Sequence, residues 1–218
     1  IDFNADYLWN KNRETALSDE LSEAGDDRNV STASANRNRM CAEKLVVSHP
    51  LWQGQLRFGE EYTNTRTTNL FTANIPEVPD ADNRVDESNI AAFIEFGRQF
   101  GRLNVGVGLR YEHVKFDYYE MGEHRDGQSK TYNNLFPSLN VSTQIGNVRM
   151  GLNYSGKTVR PGYGQLDGAV SYINRLTFET GNPYLQPTKM QTVEYMAQWR
   201  QFFAQLSYIY LKDGVYHI

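Results

Sequence analysis

Apolar and polar residues alternate one by one along several segments of this chain. The clearest case is the segment 103–111, whose apolar positions are Leu103, Val105, Val107, Leu109 and Tyr111. Asn, Gly and Arg residues fill the positions between them. Because successive side chains of a β-strand point to opposite faces of a sheet, this pattern predicts a strand with one apolar and one polar face.

The same alternation recurs along most of the chain and predicts about nine strands. They cover residues 2–10, 39–49, 55–65, 89–99, 103–118, 134–144, 148–157, 190–200 and 202–211. We expect the apolar residues of the segment 103–109 to share one face with Ile90, Ile94 and Phe96. The same face is predicted to carry Phe3, Ala5, Tyr7 and Trp9; Leu56, Phe58 and Tyr62; Ala92; Val148, Met150, Leu152 and Tyr154; and Val193, Tyr195, Ala197 and Trp199. Arg110 and Glu112 are predicted on the opposite, polar face.

The connections between these strands alternate between short and long. The short ones are residues 50–54, 100–102, 145–147 and the region of Gln201, and the long ones are residues 11–38, 66–88, 119–133 and 158–189. All long connections therefore fall at one edge of an antiparallel sheet. This segregation is typical of an up-and-down barrel wall in a membrane. A soluble meander with long loops on one side would show the same pattern and is the alternative.

Length and composition narrow the class of protein. The chain has 218 residues, and none of its segments approaches the ~20 consecutive apolar residues of a spanning helix, which excludes a helical membrane protein. The 14 Tyr and 11 Phe suit strands and the aromatic girdles of a barrel. The net charge of -4, with no basic stripe, argues against a nucleic-acid partner. The predicted fold is an all-β, antiparallel up-and-down meander that forms part of a larger transmembrane barrel.

Residues 1–218 are expected to form a single barrel segment of a longer protein. The first residues already alternate, without the charged and apolar regions of a signal peptide. The last strand-like run leads into Lys212, Asp213 and Gly214, which read as the entrance to a turn. We therefore expect a fragment with neither a plug domain nor a signal peptide of its own.

The sequence offers no catalytic motif. Metalloprotease, nucleophile-elbow and phosphate-loop signatures do not occur, and the histidines are scattered at His49, His113, His124 and His217. The single Cys41 can form neither an internal disulfide nor a cysteine metal site. The expectation is a protein that is not an enzyme and has no catalytic residues and no cofactor.

One acidic stretch, residues 77–87, could supply oxygen ligands to Ca²⁺. Its carboxylates include Asp80, Asp82, Asp86 and Glu87. The stretch lacks the spacing and central glycine of an EF-hand loop. A solvated loop without a metal is the expected structure.

A set of motifs is more specific than the alternation. It comprises Asn134-Leu-Phe-Pro-Ser-Leu-Asn140, Gly151-Leu-Asn-Tyr-Ser-Gly156, Val159-Arg160-Pro161-Gly162-Tyr163 with Leu166, Gly181-Asn182-Pro183-Tyr184-Leu185-Gln186-Pro187, and Glu194-Tyr195. His49-Pro50-Leu51 and Leu109-Arg110-Tyr111-Glu112 add to it. Together these motifs resemble the outer-membrane β-barrel family found in TonB-dependent receptors of the Bacteroidetes type.

The resemblance implies a segment of a receptor barrel in the bacterial outer membrane that takes up a nutrient ligand. Its implied partners are outer-membrane lipid and, in the parent protein, a plug domain and the TonB system. Two other functions stay open at this point. One is a soluble or surface-exposed β-sheet module that recognises a glycan or a protein through its long loops. The other is a hydrolase whose site is assembled from loop residues at a barrel rim.

Ligand recognition is expected to draw on the long connection 158–189, because loops on a rigid scaffold can present side chains freely. The candidate residues are three aromatic rings and one cation, Tyr163, Tyr172, Arg175 and Tyr184. The alternative is that these tyrosines pack the loop onto the rim. Six motif residues are predicted to shape the loop, namely Arg160, Pro161, Gly181, Asn182, Pro183 and Pro187.

Overall fold

The computed structural model describes residues 1–21, 27–166, 170–174, 176–182 and 184–214. Its long strands are β1 (Asp2–Glu20), β2 (Arg28–Leu51), β3 (Gly54–Ala73), β4 (Ala81–Phe100), β5 (Leu103–Glu120), β7 (Lys130–Ile145), β8 (Val148–Val159), β11 (Thr188–Trp199) and β12 (Phe202–Lys212). Between them lie β6 (Glu123–His124), the helix α1 (Tyr163–Leu166), β9 (Val170–Asn174) and β10 (Thr177–Thr180).

The long strands form one antiparallel meander in chain order, β1-β2-β3-β4-β5-β7-β8-β11-β12. β6 adds a short pairing to β5, and β9 with β10 forms a separate hairpin. All nine predicted strands are therefore confirmed, with sequential neighbours paired. None of the helices in the described ranges is long and apolar enough to cross a membrane.

The register confirms the predicted division into two faces. Ile94 pairs with Leu109 and Phe96 pairs with Val107, so these residues share a face as expected. Directly paired residues continue the same face through all the other long strands. We name it the apolar face, and we name the opposite one, which carries Arg110, the polar face.

Two-residue turns fix this register. Trp52 and Gln53 both have positive φ, 46° and 59°, as a type I′ hairpin turn requires. Gly101 and Gly146 supply positive φ at the first turn position of the next two short hairpins, where a Cβ would be strained. Arg200 takes the same position in the turn from β11 to β12. We name the edge of the sheet with these four turns the turn end and the opposite edge the loop end.

The strands extend further toward the loop end than predicted. Residues 11–20, 28–38, 66–73, 81–88 and 130–133 were expected in long loops, yet they belong to β1, β2, β3, β4 and β7. These segments carry polar residues on both faces, so they lack the alternation on which the prediction depended. The antiparallel backbone hydrogen bonds continue through them nonetheless. The connection from β3 to β4 shrinks to residues 74–80, whereas residues 160–187 remain a long connection.

The division into two faces allows a test of whether the sheet lies in a membrane. In the full-length protein we expect Val107→Arg to reduce outer-membrane abundance far more than Asn104→Arg, since Val107 lies on the apolar face and Asn104 on the polar face. An arginine facing lipid at mid-bilayer costs about 2–4 kcal/mol. Quantitative immunoblotting of outer-membrane fractions measures the difference. Equal abundance of the two variants would favour the soluble module.

Candidate functional site

The long connection between β8 and β11 folds across the polar face of the sheet. We name residues 160–187 the crossing loop. Leu166, at the end of α1, is buried against Val85 of β4 and against Phe116 and Tyr118 of β5. Val85 and Tyr118 pair directly and belong to the polar face. An apolar cluster therefore fixes the first part of the crossing loop over β4 and β5.

A second apolar cluster holds the hairpin of β9 and β10 at the far side. Val170 and Tyr172 pack against a buried group at the loop ends of β2 and β3, which includes Val30, Phe71 and Ile75. β8 and β2 are separated in the sheet by β7, β5, β4 and β3. The crossing loop therefore reaches over most of the polar face at its loop end.

Polar contacts of Tyr172 reinforce this second anchor. Its hydroxyl donates to a carboxylate oxygen of Glu20 and accepts a hydrogen bond of 2.8 Å from Arg28 Nη2. Arg28 also donates to Glu20 at 3.0 Å and to Glu77 at 3.2 Å. Burial, followed by the hydrogen bond to Glu20, raises the pKa of the Tyr172 phenol. The ring meets Phe178 edge to face. Tyr172 thus fastens the loop to β1 and β2, as the packing alternative describes, while its role in ligand binding stays a prediction.

A chain of alternating charges runs across the polar face below the crossing loop. Arg110 donates to Glu61 at 2.6 Å and to Glu112 at 2.8 Å, and Lys44 lies 2.6 Å from Glu61. Both Arg110 and Glu112 were predicted on this face, and the register confirms it. The alternation lets each partly buried charge contact an opposite one.

Arg160 extends this chain to the start of the crossing loop. Its guanidinium lies 3.5 Å from Glu112 and 3.6 Å from Glu87. Lys44, Arg110 and Arg160 thus balance Glu61, Glu87 and Glu112. The predicted loop-shaping residue therefore ties the end of β8 to β4 and β5.

The return of the crossing loop is organised by Asn182. Its side-chain oxygen accepts the N–H of Tyr184 at 2.9 Å, and its backbone N–H donates to the Gln165 carbonyl at 2.6 Å. Tyr184 is 59% exposed. Its hydroxyl accepts from Gln128 at 3.3 Å, and its carbonyl accepts from Lys130 at 2.9 Å. Among the predicted ligand-binding residues, Tyr184 presents an exposed ring beside this anchored turn.

The remaining predicted site residues do not form one group. Pro161 and Pro187 line a small cavity of about 20 Å³ beside Leu166, where the two ends of the crossing loop approach each other. Gly181 is half-buried. Arg175, Pro183 and the side chain of Tyr163 lie outside the described residues. The ligand-binding and loop-shaping roles of all these residues stay predictions.

One arrangement near β6 resembles a hydrolytic triad in distances but not in chemistry. His124 Nε2 lies 3.0 Å from Ser129 Oγ, and His124 Nδ1 lies 2.9 Å from Asp126. The Ser129 hydroxyl, however, donates to the Arg125 carbonyl at 2.9 Å and accepts the Tyr118 N–H at 3.0 Å. Its proton is therefore directed to a backbone oxygen rather than to the imidazole. We interpret this group as a turn-stabilising one.

The acidic stretch 77–87 does not gather its carboxylates. Asp86 binds Arg66 through two hydrogen bonds of 2.6 and 3.0 Å on the apolar face. Glu87 points to the polar face, toward Arg160. Among the described residues no group of three or more His, Cys, Asp and Glu side chains could hold a metal ion.

Sequence reasoning missed the pair that clamps Tyr172. Glu20 and Arg28 were placed in a predicted loop, whereas they pair directly at the loop end of β1 and β2. Their opposite charges suit cross-strand neighbours. The pairing of these opposite charges can be predicted only once the strands are known to continue through this segment.

The sequence matches the outer membrane protein beta-barrel family over residues 1–216, and the chain belongs to this family. A search of curated proteins finds no match to this chain. Membership confirms the predicted resemblance to this barrel family and locates the chain in the bacterial outer membrane. It follows that the apolar face contacts lipid and the polar face lines the barrel interior. The Bacteroidetes type stays a prediction.

Solved structures of outer-membrane receptors share the fold. The ferric citrate transporter FecA in its unliganded form superposes with a TM-score of 0.60 at 14% identity, over 94% of this chain and 31% of that one. The copper transporter OprC gives 0.65 at 12% identity, over 96% and 36%. The ferric yersiniabactin uptake receptor FyuA from Yersinia pestis gives 0.57 at 13% identity, over 96% and 33%. This chain therefore spans about a third of the structures that it matches and resembles the barrel walls of TonB-dependent receptors.

Anchoring of the crossing loop can be tested with two leucines. Leu166 is 6% exposed and Leu176 is 92% exposed. Replacing a buried leucine by alanine costs about 2 kcal/mol or more, so Leu166→Ala should release the loop. We expect cleavage within residues 160–187 of the full-length protein to accelerate about thirtyfold or more, because proteolysis follows the population of the open form.

Leu176→Ala is the matched control and should leave the cleavage rate unchanged. Mass spectrometry of the fragments locates the cut. Equal rates for the Leu166→Ala variant and the unsubstituted protein would show that the apolar cluster does not hold the loop.

Proposed function

We propose that this chain is part of the barrel of an outer-membrane TonB-dependent receptor that takes up a nutrient ligand, and that the crossing loop forms part of its extracellular ligand site. The observation that carries the proposal is the course of residues 160–187. They leave the wall at β8, reach β2 and β3 over the polar face, and return to β11. A ligand that enters from the loop end meets this segment first.

The apolar face supports a membrane wall over the soluble module. Ile94, Val107 and Leu109 lie on it side by side and are 50%, 48% and 42% exposed. Soluble monomers rarely expose an apolar surface of this extent. Contact with lipid removes the free-energy cost of exposing this apolar surface to water. A soluble module would instead need a partner that covers the whole sheet.

Uptake is proposed for the full-length receptor and not for these residues alone. The plug domain and the TonB system are its proposed partners, with the plug seated against the polar face. The charge chain from Lys44 to Glu87 suits that position, because its charges are balanced within the wall. We propose a transport role without an enzymatic step and without a cofactor.

The role of the crossing loop is tested by shortening residues 164–179 in the full-length receptor. This deletion removes most of α1 and most of the hairpin, while it retains Arg160 and the return through Asn182. We expect normal surface display and a loss of uptake, because the segment that spans the interior is gone. Display is measured by antibody labelling of intact cells and uptake by growth on the nutrient.

Tyr184 provides a point variant in case the deletion disturbs display. We expect Tyr184→Ala to weaken uptake about fivefold, since an aromatic contact surface is worth about 1 kcal/mol. Tyr184→Phe keeps the ring and should retain uptake. Unimpaired uptake by both the deletion and Tyr184→Ala at normal display would remove the crossing loop from the ligand site.

A further inference from the structure

Two neighbouring rows of uncharged polar side chains cross the polar face near its loop end. In the first row Asn12 pairs with Asn36, Asn36 with Asn69, and Asn69 with Asn83. Four asparagines thus stand side by side on four adjacent strands, over a width of about 14 Å.

The second row lies one step closer to the turn end. Asn10 pairs with Asn38, and Asn38 pairs with Thr67. The row then turns apolar, since Thr67 pairs with Val85 and Val85 with Tyr118. The two rows together line a cleft of about 300 Å³. We name it the amide cleft.

The amide cleft shares residues with one anchor of the crossing loop and lies next to the other. Val85 and Tyr118, which line one end of the cleft, also pack against Leu166. Phe71 stands one polar-face step above Asn69 and belongs to the cluster that holds the hairpin. The cleft therefore adjoins both anchors of the crossing loop.

The cleft offers hydrogen bonds without charge. Each asparagine amide carries two donors and one acceptor oxygen, and threonine carries a hydroxyl. Among the described residues that line the cleft, Arg37 is the only charged one, and its position in β2 directs its side chain to the apolar face. Glu120 continues the first row onto β5, but it binds Arg125 at 3.0 Å, so its charge is already paired within the protein.

Part of this hydrogen-bonding capacity is unused. Asn38 Oδ1 and Thr67 Oγ1 are inaccessible to solvent and have no hydrogen-bond partner in the described part of the chain. A buried polar atom without a partner is costly and is normally satisfied by water or a ligand. The terminal torsion of an asparagine is soft, so the Asn38 amide can reorient when a ligand binds.

From this arrangement we propose that the amide cleft binds a short uncharged saccharide. Vicinal hydroxyls donate and accept alternately, as amides do, and the two rows present several amides in register to such hydroxyls. The proposal deepens the proposed function and rests on it, since it names the substrate class of the same receptor interior.

The test is calorimetric titration of the full-length receptor in a zwitterionic detergent that has no sugar headgroup. The probes are neutral trisaccharides of glucose, mannose, galactose or xylose, with trigalacturonic acid as the anionic counterpart and sorbitol as a polyol. We expect at least one neutral trisaccharide to bind with a Kd below about 1 mM. Asn36→Leu and Asn38→Leu should each weaken that binding about tenfold, as expected for a lost hydrogen bond.

Asn140→Leu is the matched control, because Asn140 lies on the polar face but pairs with Asn153, far from the cleft. It should bind like the unsubstituted receptor. Thermal unfolding checks that each variant is folded, and Asn38→Ser replaces Asn38→Leu if the latter is not. Absence of neutral-trisaccharide binding, preference for the anionic probe, binding of sorbitol alone, or equal losses in Asn38→Leu and Asn140→Leu would each overturn the saccharide site.

Binding in detergent requires no TonB system, so the two proposals fail separately. Saccharide binding without uptake by cells overturns the receptor function and leaves the site intact. Uptake of a nutrient by cells, with no trisaccharide bound in detergent, overturns the site and leaves the receptor function intact.

Discussion

Backbone hydrogen bonding within lipid is the constraint on which this structure depends. Every N–H and C=O in the hydrocarbon layer needs a partner inside the protein, and an antiparallel ladder provides one at each position. The ladder also fixes which side chains face lipid, because side chains alternate strictly along each strand. A shift of one residue between β4 and β5 would turn Val107 and Leu109 into the interior and Arg110 into lipid. The two-residue turns prevent that shift.

The interior face changes from apolar to uncharged polar to charged between the loop end and the turn end. The strand β3 shows this change along its length. Phe71 belongs to the apolar cluster that holds the crossing loop, Asn69 and Thr67 line the amide cleft, and Glu61 belongs to the charge chain. Only the first of these environments is formed by burying apolar surface. The other two depend on hydrogen bonds and opposite charges.

The crossing loop shows how a connection between neighbouring strands can organise a distant region. β8 and β11 are paired, so a short turn would have sufficed to join them. Instead, Leu166 and Tyr172 find their apolar partners on β4, β5, β2 and β3. The balanced contacts of Arg160 and the clamp of Glu20 and Arg28 on Tyr172 then define where the loop leaves the wall and how far across the sheet it reaches.

The nine strands, their order, their two faces and the register across the turn at residues 100–102 could be predicted from the sequence, because these follow from a period of two and from local turn chemistry. The pairing of Asn36 with Asn69 even follows from the turn at Trp52 and Gln53, once the strands are known to continue. Contacts between residues that are distant in sequence could be found only in the tertiary structure. The pairing of Asn69 with Asn83 spans a longer connection, and the hydrogen bond from Arg28 to Tyr172 joins residues 144 positions apart. Such contacts depend on where buried side chains pack on other strands. A local sequence pattern carries no information about that packing.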